Sequence, residues 1–595
     1  MDENSPDREV ELATQEYLRG QLRQAESRCR RTIARDPNHA RAFHVLGLIA
    51  YAVGKHAIAV DLISQAVRIS PRTASFHNNL GLALLEIRQW DRAIAEFSAA
   101  IQIDPSLADA LFNLGNAYAH LNKLDLAVQS YRHVLAIQPE YGQALTNLGG
   151  ALVRQAAVGQ ALDCFRKAIA INPRDIITHS NLIYMMHFHP DCDAMAIRGE
   201  LQRWNQQFAL PLRDKIRPHT NTRDPQRRLR IGYVSGDWRE HCQSLFTLPL
   251  LKHHDPQRFH ITCYSNVAVP DALTAKIRSL AAEWRDITRL TDEQAAEQVR
   301  SDGIDILVDL TVHMSNNRLL IFAPKPAPIQ ITWLGYPGST GMEAVDYRLT
   351  DRYLDPPDPQ RDAWYTEQSI RLPDSFWCYS PMPDVPPVAT LPAQTNKCIT
   401  FGCLNNFNKI NEPVLSSWAD AMRAAPGSRL LLITAPGSHR ERTLQMLQRF
   451  GVEPARVQFV PYCLPREYME LYHRVDISLD TFPANGHTTS MDSLYMGVPV
   501  VTLPGATAIS RGGLSILSTI GLPELAAIDR ADFVRIAVEL ASDVPRLARL
   551  RSTLRQRMES SPLMDAPRFA AGMEAIFRDV WRRWCGTQVI ETKPS

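Results

Sequence analysis

From Leu479 to Val501 the chain reads Leu479-Asp-Thr-Phe-Pro-Ala-Asn-Gly-His-Thr-Thr-Ser-Met-Asp492-Ser-Leu-Tyr-Met-Gly-Val-Pro-Val-Val501, an order of residue types that suits phosphate chemistry. A strand ends near Leu479, a Pro/Asn/Gly turn follows, and Thr488-Thr489 open a helix that stops at Gly497 before the next strand. Free amides and Thr hydroxyls at that N-terminus, with the positive end of the helix dipole behind them, suit a diphosphate. Asp492, in the first turn or just after it, is placed to accept from ribose hydroxyls. Capping alone accounts for Thr488 or Thr489 but does not call for the adjoining Asn-Gly-His, so phosphate binding is the preferred reading. Other chemistry-bearing residues also follow strands: His241 in Asp237-Trp-Arg-Glu-His241, His313 four after Asp309, and Lys409 in Asn406-Phe-Asn-Lys409. By residue type alone each is as readily a structural hydrogen-bonder. His253-His254-Asp255 and Asp191-Cys-Asp193 lack metal-ligand geometry and placement, so no metal site is expected.

The elements that must position these residues form a long chain. At 595 residues it is too large for one hydrophobic core. Lys+Arg 65 against Asp+Glu 63 leaves +2, so the overall balance calls for neither a nucleic-acid nor a membrane partner. The acidic start, Met1-Asp-Glu-Asn-Ser-Pro-Asp7, is unlike a signal peptide, no apolar run would cross a bilayer, and the ten Cys are scattered. A cytoplasmic protein with reduced thiols is expected.

The first third is repetitive. Pro37, Pro71, Pro105, Pro139 and Pro173 recur every 34 residues, as do Gly47, Gly81, Gly115 and Gly149, and Ala25, Ala59, Ala93, Ala127 and Ala161. Each unit reads as two amphipathic helices in which Gly permits close approach, Ala packs at the crossing and Pro ends the second helix. A sixth, incomplete unit starts near Asp175. The pattern resembles the tetratricopeptide repeat, whose stacked units form a superhelix. Asn79, Asn113, Asn147 and Asn181 share the same register, although Asn is a mediocre helix former. Four amides in one register suggest a ladder that donates to and accepts from an extended peptide backbone.

Beyond a short helical stretch and a polar, basic segment ending at Gln226-Arg-Arg228, apolar runs at 229–237, 259–265, 304–310 and 329–334 read as strands of a mainly parallel α/β sheet. A Pro-rich connector at 381–392 leads to a second series at 398–403, 429–434, 457–460, 475–479 and 498–502. The predicted architecture is an α-superhelix of tetratricopeptide repeats (1–190), a helical linker (191–227), and two Rossmann-like domains (228–384 and 398–560). Residues 385–397 join these two domains, and a C-terminal helix and tail (561–595) carries Phe569, Met573, Phe577, Val580, Trp581 and Trp584 on one side as a brace. Paired Rossmann-like halves imply a ligand cleft at their strand ends. Neither G-x-x-x-x-G-K-[ST] nor a clean G-x-G-x-x-G is present, which disfavours an ATPase or a dehydrogenase.

Together the Asn-Gly-His-Thr-Thr segment, Asn406-Phe-Asn-Lys409, Trp333-Leu-Gly-Tyr-Pro-Gly338 and the repeats resemble the O-linked N-acetylglucosamine transferases of glycosyltransferase family 41, in its bacterial form. The resemblance implies a GT-B fold and metal-free inverting transfer of N-acetylglucosamine from UDP-GlcNAc to Ser or Thr of protein acceptors. It also implies UDP contacts at Asn406, Lys409, Tyr462, Tyr468, His487, Thr488, Thr489 and Asp492, and a sugar pocket at Leu334, Gly335 and Pro337. His241 matches the residue proposed as base and His313 another site residue, with Asp309 acting through water as a second candidate base and the donor's α-phosphate as a third. Pro465 stands where animal members have Lys. Three rivals remain: the same fold with another UDP-hexose, a repeat scaffold with a degenerate transferase half, and a sugar-nucleotide epimerase. The His within Asn-Gly-His-Thr-Thr speaks for the N-acetylglucosamine branch over the fucosyl branch.

Overall fold

The computed structural model describes residues 5–586 and divides into two compact units, one ending at Asn172 and one starting at Pro173. Among the described residues no helix is long and apolar enough to cross a membrane.

The first unit is a stack of helix pairs: Pro6–Leu18 with Leu22–Arg35, Ala40–Ala52 with His56–Ile69, Ala74–Glu86 with Trp90–Ile103, Ala108–His120 with Leu124–Ile137, and Gly142–Arg154 with Val158–Ile171. The recurrent Gly is required by contact. A Cβ on Gly81, Gly115 or Gly149 would stand 2.5, 2.6 or 2.4 Å from the ring of Phe97, Tyr131 or Phe165, the aromatic of the paired helix. The recurrent Ala residues are fully buried at the same crossings. The sixth unit is the helix Ile176–Met186, which starts after its N-cap Asp175 and is followed by Ala194–Trp204. It lies in the second unit rather than with the other repeats, because its buried face bonds to the α/β part: the Ser180 hydroxyl lies 3.2 Å from His313.

The second unit holds two parallel sheets. The first contains β1 (Leu229–Ser235), β2 (Phe259–Ser265), β3 (Glu283–Asp286), β4 (Ile306–Asp309), β5 (Ile329–Thr332), β6 (Tyr347–Asp351) and β7 (Gln368–Leu372), in the order β3-β2-β1-β4-β5-β6-β7. The second contains β8 (Thr400–Cys403), β9 (Arg429–Ile433), β10 (Val457–Val460), β11 (Ile477–Leu479) and β12 (Val500–Val501), in the order β10-β9-β8-β11-β12. Strand order therefore reverses between β1 and β4 in one sheet and between β8 and β11 in the other, and a doubly wound sheet opens its ligand crevice at such a point. The sequence pattern missed β3, β6 and β7. Their sequences, Glu-Trp-Arg-Asp, Tyr-Arg-Leu-Thr-Asp and Gln-Ser-Ile-Arg-Leu, contain no continuous apolar run, and β3 and β7 are the sheet's edges.

The Pro-rich connector is clamped to the second sheet's domain: the guanidinium of Arg551 donates to Ala389 O, that of Arg555 to Pro386 O, and His473 bonds Pro387 O. Helix Val544–Glu559 packs on the second half, and helix Ala566–Gly586 crosses to the first, burying Phe569, Met573, Phe577, Val580 and Trp581. The anchor of that crossing is Glu574. Its buried carboxylate accepts from His254 Nδ1 at 3.1 Å and from the Asp255 amide at 2.8 Å, while His254 Nε2 takes the Tyr233 hydroxyl at 2.9 Å. The His254 ring has no nitrogen left for a metal. Glu574→Ala strands two buried donors and should lower the stability of the α/β unit by about 1–3 kcal/mol. A thermal or urea unfolding midpoint equal to wild type would remove the helix's role as a brace.

Candidate functional site

Four of the sequence-predicted segments converge on the two switch points. His241 follows β1, the Asp309–His313 loop follows β4, Asn405–Lys409 follows β8, and the Pro/Asn/Gly loop follows β11.

In the second half the organising group is Asp480, directly after β11. Its Oδ1 accepts from the amides of Gly486 at 2.6 Å and Thr481 at 2.8 Å, and its Oδ2 accepts from the Thr502 hydroxyl at 2.7 Å. The 481–486 loop is thereby folded back on its own strand end. Asn485 closes it further by donating from Nδ2 to Thr481 O at 2.8 Å, which leaves Asn485 O to accept from Lys409 Nζ at 2.6 Å. Burial lowers the Lys409 ammonium from its ordinary value and Asp480 pulls it back, while burial pushes the Asp480 carboxyl up to about 6.

Helix Thr488–Tyr495 begins at His487, which makes no side-chain cap, and the first helical bond is donated by Met491 to His487 O. An uncapped first turn directs its free amides at whatever sits before it. The Thr489 hydroxyl donates to Asn405 Oδ1 at 3.1 Å, and Asn405 Nδ2 donates to Thr481 at 3.1 Å, locking this helix end to the β8 loop. Asn406 is exposed and caps the short turn that carries Lys409. His487 bonds Ile509 O at 3.3 Å beside the Trp377 ring, and burial next to Lys409 pushes it down to about 3, so it is a neutral donor.

Asp492 is differently placed from the ribose contact expected of it. Both oxygens are occupied, Oδ1 by the Tyr379 hydroxyl at 2.7 Å and Oδ2 by that of Tyr468 at 3.3 Å, and burial pushes its carboxyl up to about 7. Tyr468 also bonds Tyr472, whose hydroxyl lies 3.0 Å from Thr489 O. These two predicted contacts thus support the back of the helix. Tyr462 is half exposed on the loop after β10.

In the first half, His241 is partly exposed, with Nδ1 accepting the Gln243 amide at 3.3 Å and lying 3.7 Å from Asp237. Burial lowers its basicity and Asp237 opposes that, so the ring is neutral near pH 7. Its neighbour Cys242 is an exposed thiol beside Thr488 of the other half.

Asp309 and His313 are corrected from reacting groups to supports. Asp309 accepts from the amides of Thr311 and Val312, both at 3.0 Å, and from the Thr332 hydroxyl at 2.8 Å. His313 is fully buried, with Nε2 donating to Thr340 O at 2.9 Å and Nδ1 accepting from Ser180, and burial pushes it down to about 3. What they hold is strained: Val312 has φ 52° and Leu334 φ 78°, left-handed values costly for such side chains. A Cβ on Gly335 would meet Thr311 O at 2.6 Å, so this turn lies directly on the Asp309 loop. Pro337, next in the turn, lines a small crevice with His187 and Tyr365.

Asp480, Asn405, Asn485, Cys242 and Tyr379 received no role from the sequence. The first three sit within or beside the motifs that drew attention; nothing in the pattern marks Tyr379 or Cys242. Of the described residues, no group of three or more His, Cys, Asp or Glu is arranged to hold a metal ion.

In the repeats the predicted ladder is partly turned inward. Asn113 Nδ2 donates to Asn78 at 3.0 Å, Asn147 Nδ2 to Asn116 at 2.8 Å, and Asn79 bonds His44 at 2.9 Å. Asn181 lies on the helix Ile176–Met186 of the second unit.

Comparison with known proteins agrees with this organisation. Tetratricopeptide-repeat families match residues 11–74, 89–122 and 108–141. The chain is 42% identical over 394 residues to "Probable UDP-N-acetylglucosamine--peptide N-acetylglucosaminyltransferase SPINDLY" of Petunia hybrida, covering 65% of this chain and 42% of that protein. It is 29% identical over 374 residues to the probable transferase SEC of Arabidopsis thaliana, covering 61% and 38%. The chain thus spans less than half the length of these curated relatives. Among solved structures, a mutant O-GlcNAc transferase of Thermobaculum terrenum is similar at TM-score 0.80 and 34% identity, over 86% of this chain and 98% of that one. The model of glycosyl transferase family 41 matches residues 210–380 and 389–573, most of the two-sheet unit, and the chain belongs to that family.

Proposed function

We propose that the protein is an inverting transferase that moves N-acetylglucosamine from UDP-GlcNAc to Ser or Thr hydroxyls of protein acceptors, which the repeats hold. The carrying observation is the pairing of a fixed cation with an uncapped helix: Lys409 Nζ is anchored on Asn485 O, and helix Thr488–Tyr495 begins without a side-chain cap at the β8/β11 switch point. A diphosphate there meets one ammonium and several amides already in place, so the charge that develops on departing UDP is stabilised without reorganisation. Asn406, exposed beside Lys409, and Tyr462, on the β10 loop, are the remaining nucleotide contacts in this reading. The strained Leu334-Gly335 turn and Pro337 shape the sugar pocket.

The acceptor oxygen attacks from the side opposite UDP, and His241 takes its proton. The present bond from Gln243 to Nδ1 puts the ring's proton on Nε2. A shift to the Nδ1–H form, with Asp237 as partner, frees Nε2 as the base, and such contacts commonly tighten when substrate binds. Asp309, with both its oxygens engaged in holding its loop, takes no part in this step.

Lys409→Ala should reduce transfer by on the order of a hundredfold in a folded protein. The assay is mass spectrometry of peptides incubated with a panel of UDP-sugars. Modification by a hexose other than N-acetylglucosamine would change the donor, and near-normal turnover of the variant would remove Lys409 from the site.

His241→Ala should lower turnover at saturating donor more than it weakens UDP binding. If UDP binding collapses while turnover survives, the base lies elsewhere.

Replacing Asn79, Asn113, Asn147 and Asn181 together by Ala should impair transfer to long protein acceptors while sparing a short peptide. Each amide contributes only about 0.5–1.5 kcal/mol, so single changes pass unnoticed and four compound. Equal retention of both activities would reduce the ladder to bonds within and between repeats.

A further inference from the structure

One basic segment takes no part in the cleft. From Arg217 to Arg230 the chain reads Arg-Pro-His-Thr-Asn-Thr-Arg-Asp-Pro-Gln-Arg-Arg-Leu-Arg, five Arg and a His against one Asp. Up to Asp224 it has no regular structure and forms a strap over the 303–305 turn that leads into β4. It is tied down by Asn221, which donates to Asp305 Oδ1 at 2.7 Å and to Ile304 O at 3.2 Å, and by the Arg227 guanidinium on Asp305. Under the strap is a pocket of about 420 Å³ lined by Arg217, His219, Arg227, Arg230 and Arg300, with no carboxylate in its wall.

The positive charge is incompletely balanced. Fully buried Asp305 is saturated by Asn221, Arg227 and the Arg230 amide, and so offsets the Arg227 cation alone. Arg217 pairs with Glu297, but both side chains are more than half exposed, and such a pair contributes little. Arg230 and Arg300 spend their bonds on neutral carbonyls: Arg230 donates to Asp302 O at 2.7 Å, and Arg300 to Pro324 O at 3.1 Å and Lys325 O at 3.3 Å. The imbalance is felt by His219, pushed down to about 4 by burial and the cations of Arg300, Lys325 and Arg223.

The position separates this pocket from the chemistry. Arg230 is at the start of β1 and Gly303 just precedes β4, whereas the cleft lies beyond Ser235 and Asp309 at the other ends of the same strands. A seven-residue strand spans roughly 20 Å, so a donor in the cleft cannot fill it. We propose that the pocket is a second anion site, taking the phosphate groups of a small phosphorylated molecule between the guanidiniums of Arg217, Arg230 and Arg300. Planar guanidinium forks suit tetrahedral oxyanions, and a concave pocket of this volume suits a small ligand rather than an extended polymer.

Inorganic pyrophosphate is the probe, titrated calorimetrically into the full chain. Lys409→Ala, which disables the cleft, should keep a pyrophosphate site, and adding Arg230→Gln and Arg300→Gln should weaken it by about tenfold or more. The Arg pair must retain UDP binding as its fold control. Should it fail to fold, exposed Arg217→Ala and the wild-type footprint carry the test: pyrophosphate should protect Arg217 and Arg230 from phenylglyoxal, read by peptide mass spectrometry. Equal protection by ATP and pyrophosphate would assign recognition to phosphate alone, and stronger protection by ATP would add a base contact; both support the site. Loss of all pyrophosphate binding in Lys409→Ala, undiminished binding in the folded Arg pair, or an unprotected strap overturns it.

Discussion

The bond from the Gly486 amide to the Asp480 carboxylate is the constraint on which the β8/β11 end of the cleft depends. It bends the 481–486 loop back so that Asn485 O points at Lys409, and it sets where the following helix begins. A buried carboxylate and an enclosed ammonium are each costly alone, and here each restrains the other's shift: Asp480 opposes the loss of charge that burial favours in Lys409, and Lys409 opposes the protonation that burial favours in Asp480. The pairing thus favours a positive charge at this end of the cleft.

The first half uses the same device. Asp309 ends β4 as Asp480 follows β11; both strands stand beside the central strand at the point where order reverses. Each carboxylate accepts a Thr hydroxyl from the neighbouring strand's end, Thr332 or Thr502, and two amides of its own loop. Both are pushed up to about 6 by burial, which reflects fixed enclosure rather than contact with solvent. The two differ in what they hold. Asp480 orders a loop next to a cation, whereas Asp309 holds the strained Val312 turn against which Leu334 and Gly335 pack.

The repeats were legible because their spacing is enforced by contact: each recurrent glycine meets a large side chain of the paired helix, Ile63, Phe97, Tyr131 or Phe165, so the 34-residue period survives in the sequence. The central strands were legible as apolar runs. β6 was not, because buried Arg348 stands in it, made tolerable by Asp355 at 2.8 Å, and sequence cannot display a partner seven residues away in a loop. The same blindness affected the site. Asp492 and Tyr468 are prominent polar residues near the Asn-Gly-His-Thr-Thr segment, but their mutual bond joins two separate helices, and the Tyr379 hydroxyl that completes it comes from the other half. His313 shows the converse: a histidine at a strand end looks reactive until Ser180 and Thr340 are found on its two nitrogens.

Ser180 belongs to the last, incomplete repeat, so that repeat is part of the catalytic unit's own framework. Its helix fixes His313, which fixes the Thr340 carbonyl beyond the Trp333–Gly338 turn, while Asp309 fixes that turn from below through the Val312 loop. Of the two left-handed residues, Val312 resists relaxation because releasing its amide would leave the buried Asp309 carboxylate short of a donor, and the Leu334-Gly335 turn rests on the same loop. The rigidity of the Trp333–Gly338 turn therefore derives partly from a repeat helix, and a break between repeats and α/β domains placed after residue 190 would coincide with the chain's change in sequence character but not with its packing.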